Sequence, residues 1–446
     1  MTIDLNTVFP VKGLLPKEET QVESFIKENP SWDGRNTIIA ILDTGVDPGA
    51  AGLKITTTGK PKIIDIIDCT GSGDVSCKTI VKASTSLDEA GSEQLTLKGL
   101  SGKTLKIGNW KNPTGNFKLG LKSTSELYPR LFSSIEKNRK NKTEIENHKL
   151  YTVEQKKLTE LELLPKPTEK KKLQDHENLK NELKARCEVL LEMIKNYKDP
   201  GYVMDCIVFH DGEKWRAAID LKGSGDLTDA TLFTNYADEL QYASLCEDTL
   251  INFSVNIYDE GETLSIVTCE GCHGTHVAAI AAANFPDNPD VNGVAPGAQI
   301  VSLKIGDHRM EGMESGRGLI RALTELCRLK CDVANLSYGD PAHTVDVGSF
   351  NEILNNEVVN KTGCIFLTSA GNTGPALSTI GGPGANVESC ISVGAYVNQD
   401  MMKSNYSLLQ NSADQPFTFT SRGPSISGAV GTDIYAPGGA TTSVPL

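Results

Sequence analysis

Three loops in the sequence carry the kinds of residue that perform acyl transfer. In ILDTGVDPG, Asp43 directly follows an apolar run. A carboxylate at the end of a buried strand lies where doubly wound sheets place their active sites, and it can orient a histidine. In CHGTHVAAIAA, His273 precedes a Gly-Thr turn and an alanine-rich stretch. Its imidazole is expected at a helix start, as a general base. In FLTSAGNTGP, Asn372 sits in a Gly-flanked loop after another apolar run. Its side-chain amide can donate to a developing oxyanion, a large contribution in acyl transfer.

Each loop alone has other readings. Asp-Thr-Gly also serves the carboxylate dyad of aspartic proteases, but that chemistry needs two such loops and the sequence has one. Cys269, Cys272 and His273 spell C-x-x-C-H, a haem-attachment pattern, and two thiols with a histidine could hold zinc. The haem reading leaves Asp43 and His276 unexplained, and no second C-x-x-C supports zinc. The pattern is read as coincidence, and neither a cofactor nor a metal is expected. Asn372 could simply satisfy backbone groups in its turn. What gives the three loops weight is their order.

The elements that must position them follow from the apolar pattern. RNTIIAILD, AQIVSLKIG, DVANLSYG, GCIFLTSAGN and SCISVGAY read as strands buried on both faces, the mark of a parallel sheet. HGTHVAAIAAANF, ESGRGLIRALTELCRLK and DVGSFNEILNNEVVNK read as the helices between them. Strand-helix alternation predicts an α/β fold, a parallel doubly wound sheet with loops at the strands' carboxyl ends. Between the first and later blocks the texture changes. Residues 69 to about 130 are Gly/Ser/Thr/Lys-rich with short strands such as LTLKGL and TLKIGNW. Residues 134–198 are charged and helical in pattern, broken at LLPKPTEK by its prolines. Leu179, Leu183, Leu190 and Ile194 recur at helical spacing as one apolar stripe. CIVFHDGEKWRAAID then alternates like a hairpin about Asp-Gly. The expected organisation is therefore 1–68 and 258–446 as two parts of one domain, with 69–257 a large α+β insertion between Asp43 and His273.

Composition narrows the class. The 446 residues are 39% hydrophobic with 41 glycines, enough for a large core. No apolar run is long enough to span a membrane, and the start, MTIDLNTVFPVKGLLPKEET, lacks an apolar signal region. A cytoplasmic protein is expected. The net charge of −13 argues against nucleic acid as a partner. Eleven cysteines without repeating spacing favour free thiols over a disulfide framework.

The order Asp-loop, His-helix, Asn-loop, followed by FTSRGPS and YAPGG, resembles the subtilisin-like serine proteases, whose triad runs Asp, His, Ser. The stretches FPVKGLLPKEET, KPKIIDIIDCTGSGDV, SVNIYDEGETLSIVT and IRALTELCRLKCDVANLSYG, with the 230-residue gap from Asp43 to His273, are similar to the large cytosolic branch of that family that releases tripeptides. The resemblance implies a subtilisin-like fold and serine-type tripeptidyl-peptidase activity on peptides with a free N-terminus. It also implies a homo-oligomer in the full-length protein, and no membrane or nucleic-acid partner. Asp43 would orient and support His273, the base and then the acid. Asn372 would supply the oxyanion amide, and Ser337 and Gly339 in NLSYG would pair with substrate backbone. Glu314 in GMESGRG would anchor the substrate ammonium. A second anchor falls on Asp340, where the branch carries glutamate. The shorter side chain keeps the charge and loses about 1.5 Å of reach.

The family's nucleophile lies in a G-T-S-M-x-x-P context, and no serine of the 446 residues has one. The chain is accordingly expected to stop short of its nucleophile and to be inert alone. It would be either an amino-terminal piece of an active peptidase or a non-catalytic form that binds peptides or joins full-length subunits. Cys272, directly before the base, is a candidate for inhibition by bulky thiol reagents.

Overall fold

The structure is a computed structural model and describes residues 14–87, 93–165, 167–197, 203–245, 251–341, 348–406, 408, 410 and 412–440. Two compact units divide it. One comprises residues up to 122 and from 204 onward; the other comprises residues 123–203.

The first unit is built on an eight-stranded sheet. Its strands are β1 (Ile38–Asp43), β2 (Ile63–Asp68), β3 (Gln299–Lys304), β4 (Val333–Leu336), β5 (Ile365–Ser369), β6 (Ile391–Val397), β7 (Gln415–Pro416) and β8 (Ile434–Pro437). The order across the sheet is β2–β3–β1–β4–β5–β6–β7, and β8 also pairs with β6. Every pairing is parallel except β6 with β7. The Val/Ile/Leu runs are continuous because both faces are covered. From β1, Ala40 and Leu42 enter a core with Leu319, Leu323 and Leu326 of the helix Gly316–Leu329, and with Leu354 and Val358. Ile41 enters the opposite core, with Ala278, Ala279 and Ala282 of the helix His273–Ala282. Alanines on that helix allow a close approach to the sheet. The stretch read as one helix over DVGSFNEILNNEVVNK is Ser349–Ile353 and Asn360–Thr362 joined by π-type turns at Leu354–Val359.

Segments between β2 and the His273 helix form three further four-stranded sheets. The Asp-Gly hairpin is present: Val203–His210 pairs antiparallel with Trp215–Ile219 around residues 211–214. Asn252–Tyr258 pairs with Thr263–Thr268, and Asn256 Nδ2 donates to the Ile66 carbonyl of β2 at 2.7 Å. That buried bond fixes this hairpin against the main sheet.

The unit of residues 123–203 holds two long helices, Pro129–Leu163 and Lys170–Lys195, that pack on each other. They are separated by the stretch with Pro165 and Pro167, which cannot continue a helix. Leu158, Leu183 and Cys187 are buried between them. Of the expected stripe, Leu183 is the buried member, Leu190 and Ile194 are half-buried, and Leu179 is exposed. Cys187, one turn after Leu183, takes a place in the seam.

Phe366 is fully buried in β5 within the core of the Gly316–Leu329 face. Phe366→Ala is expected to lower unfolding free energy by about 3–5 kcal/mol, read as a shifted urea midpoint at unchanged slope. A loss below about 1 kcal/mol would mean that this face is not close-packed.

Candidate active site

Asp43 is the last residue of β1, and its side chain is inaccessible to solvent. His273 opens its helix and is half-exposed. The imidazole Nδ1 lies 2.8 Å from Asp43 Oδ1 and 2.9 Å from Oδ2. A buried carboxylate that accepts from Nδ1 fixes the tautomer with Nε2 free to take a proton. The backbone N–H of Thr44 donates to the same carboxylate at 2.7 Å. The bond to Asp43 raises the His273 pKa above the ordinary histidine value, and partial burial opposes the rise.

The two loops are stitched at several points. Thr44 Oγ1 donates to the Gly271 carbonyl at 3.1 Å and accepts from the Gly274 N–H at 3.0 Å. The Asp47 N–H donates to Thr275 Oγ1 at 3.0 Å. A side chain at Gly274 would collide with the Gly45 carbonyl and crowd the Asp43 Cβ, so the approach demands glycine. Lys304, buried beside Asp43 in the sheet register, donates to the Thr268 carbonyl at 3.1 Å and to its hydroxyl at 3.0 Å. It thereby fixes the end of the strand leading to His273. The cysteines of C-x-x-C-H diverge. Cys269 turns its Sγ to the Val46 carbonyl at 3.2 Å, and burial pushes its thiol up to about 12. Cys272 is exposed. Among the described residues no group of three His, Cys, Asp or Glu side chains could hold a metal.

The remaining candidates lie at the carboxyl ends of neighbouring parallel strands. Ser337 and Gly339 directly follow β4, and Asn335 Nδ2 donates to Ser337 Oγ at 2.9 Å. Gly339 has φ +151, and a Cβ there would lie 2.5 Å from the Gly382 carbonyl. The Asp340 backbone pairs antiparallel with Gly382; its side chain lies outside the described residues. Glu314 pairs with Gly306 in a two-residue ladder just after β3 and precedes Ser315, the N-cap of the helix Gly316–Leu329. Asn372 is exposed in the loop after β5. The structure brings Asp43 and His273 into direct contact and sets Glu314, Ser337, Gly339 and Asn372 along the same rim.

Several supporting residues owe their place to tertiary approach. Ser421 clamps the Asn372 loop: its N–H donates to the Gly371 carbonyl at 2.9 Å, and its Oγ accepts from the Thr373 N–H at 3.2 Å. Glu270 and His308, both nearly inaccessible, approach to 3.9 Å three residues ahead of His273. Tyr338 packs edge-on against the His273 ring, with centroids 6.4 Å apart at 85°. His276 is half-buried; burial lowers its pKa, and a hydrogen bond to the Ala440 backbone opposes this.

The profile of the subtilase family, peptidase S8, matches residues 34–445. The chain belongs to that family. It is 42% identical over 450 residues to tripeptidyl-peptidase 2 of Arabidopsis thaliana, covering 99% of this chain and 32% of the relative. It is 44% identical over 444 residues to tripeptidyl-peptidase 2 of Oryza sativa subsp. japonica, covering 98% and 32%. A crystal structure of tripeptidyl peptidase 2 superposes with a TM-score of 0.66 at 32% identity, over 96% of this chain and 32% of that one. The chain thus spans about a third of the length of the relatives it matches. Among the described residues no helix is long and apolar enough to cross a membrane.

The raised His273 pKa has a definite sign. Its stabilisation is fully present below the unfolded histidine value and fades as pH rises through the folded one. Asp43→Asn is therefore expected to lower the His273 pKa, followed by the imidazole proton shift in NMR. Its loss of stability should be greatest between the carboxylate and histidine ranges, and should shrink above them. An unchanged His273 titration would contradict the pairing.

Proposed function

We propose that this chain carries the base, orienting acid, oxyanion donor and amine anchor of a serine exopeptidase that releases tripeptides from free N-termini. The observation that carries the reading is the buried Asp43 bonded to the Nδ1 of a half-exposed His273. That arrangement prepares Nε2 to accept the proton of a serine hydroxyl as it attacks the scissile carbonyl. Asn372 would donate to the tetrahedral oxyanion. His273 would then return its proton to the leaving amine, and water would release the acyl group by the same base catalysis. Glu314 and Asp340 would receive the substrate ammonium, and Ser337 and Gly339 would pair with substrate backbone as an added strand. Support comes from similarity to tripeptidyl-peptidase 2 over nearly the whole chain.

Residues 69–257 belong to this proposal as an insertion within one peptidase domain. So do cytosolic peptide turnover and assembly of the full-length protein into a homo-oligomer.

The test is hydrolysis of a tripeptide amide with a free N-terminus, compared with its N-acetylated analogue. The enzyme is this chain extended to include a serine in the G-T-S-M-x-x-P context. The free amine is expected to be preferred by at least about tenfold, the worth of one charge-assisted bond. Glu314→Gln should erase most of that preference through KM. His273→Ala should lower kcat by about 10²–10⁴-fold. Equal turnover of both peptides would overturn the exopeptidase reading, and full activity of His273→Ala would overturn the assignment of the base.

A further inference from the structure

We propose that Tyr338 is the positioning residue that fixes the length of the released peptide. The inference rests on the amine-anchored reading above and names the element that sets its register.

Tyr338 stands between the two ends that such an enzyme must separate. On one side its ring meets the His273 imidazole edge-on. On the other its hydroxyl lies so close to Gly306 that a methyl at that position would collide with it. Gly306 is the direct ladder partner of Glu314. One half-buried aromatic side chain therefore spans from the base to the backbone paired with the amine anchor. It emerges between Ser337 and Gly339, the segment placed to run beside substrate.

Three residues of extended peptide cover about 10 Å. A rigid ring set between the base and the ladder partner of the anchor resists a change in their spacing, because an aromatic side chain has only two side-chain torsions to relax. Its bulk would also occupy the path that a longer amino-terminal extension needs. Gly306 sharpens the argument. Glycine is the residue type whose missing Cβ admits the hydroxyl, so the contact depends on both partners.

The test is binding of short peptide amides by this chain. Dipeptide, tripeptide and tetrapeptide amides with free N-termini, and the acetylated tripeptide amide, are titrated by calorimetry. Wild type is expected to favour the tripeptide over both other lengths by about tenfold or more. Tyr338→Phe keeps the ring against His273 but removes the hydroxyl that meets Gly306, and should weaken the preference without abolishing it. Tyr338→Ala should flatten it to within about threefold, and Tyr338→Leu, which preserves an apolar contact, should do the same even if the alanine variant fails to fold. The free-amine preference should survive in the leucine variant. An unchanged length preference in Tyr338→Leu, with amine preference intact, overturns this inference alone. Loss of amine preference in wild type overturns the exopeptidase reading, and the length assignment falls with it.

Discussion

The site depends on one hydrogen bond: the carboxylate of Asp43, sealed from solvent, to Nδ1 of His273, 230 residues further along the chain. A buried carboxylate is costly unless its oxygens are met by donors. Asp43 is met by the imidazole and by its neighbour's N–H. The same bond determines which histidine nitrogen is offered to the cleft. The contacts that join the Asp43 turn to the start of the His273 helix give this bond fixed endpoints.

The fixed endpoints explain why so long a separation is tolerated. β1 is central in the sheet, flanked by β3 and β4. The intervening chain returns through Thr263–Thr268, whose last residue is held by the buried Lys304 ammonium. Thr44 then joins the Asp43 turn to the start of the His273 helix from both sides. A long connection between such anchors adds little closure cost, because that cost grows only with the logarithm of loop length.

The strands were legible because a sheet covered on both faces leaves continuous apolar runs, as in IIAILD and QIVSLK. Asp43 and His273 were legible as candidates because Asp43 ends an apolar run just before Thr44-Gly45 and His273 opens an alanine-rich stretch. The strand order was not, since nothing local tells β3 to insert between β2 and β1. Nor was the role of Ser421, a residue of the FTSRGPS stretch whose hydrogen bonds clamp a loop some fifty residues upstream. The Glu270–His308 pair and the Tyr338–Gly306 contact share that character. Each is two ordinary residues made significant by tertiary approach. The π-type turns at Leu354–Val359 were hidden for a different reason: their apolar spacing still matches an α-helix closely enough.

A base oriented by Asp43 and a site that receives the amine of a three-residue peptide are the two halves of the proposed function. A tripeptidyl chloromethyl ketone with a free N-terminus tests both halves at once, because it alkylates the nucleophilic nitrogen it is delivered to, with loss of chloride. Peptide mass spectrometry of the treated chain is expected to place the adduct on His273 and to find far less of it with the N-acetylated reagent. An adduct confined to the exposed Cys272, or equal labelling by both reagents, would contradict the account.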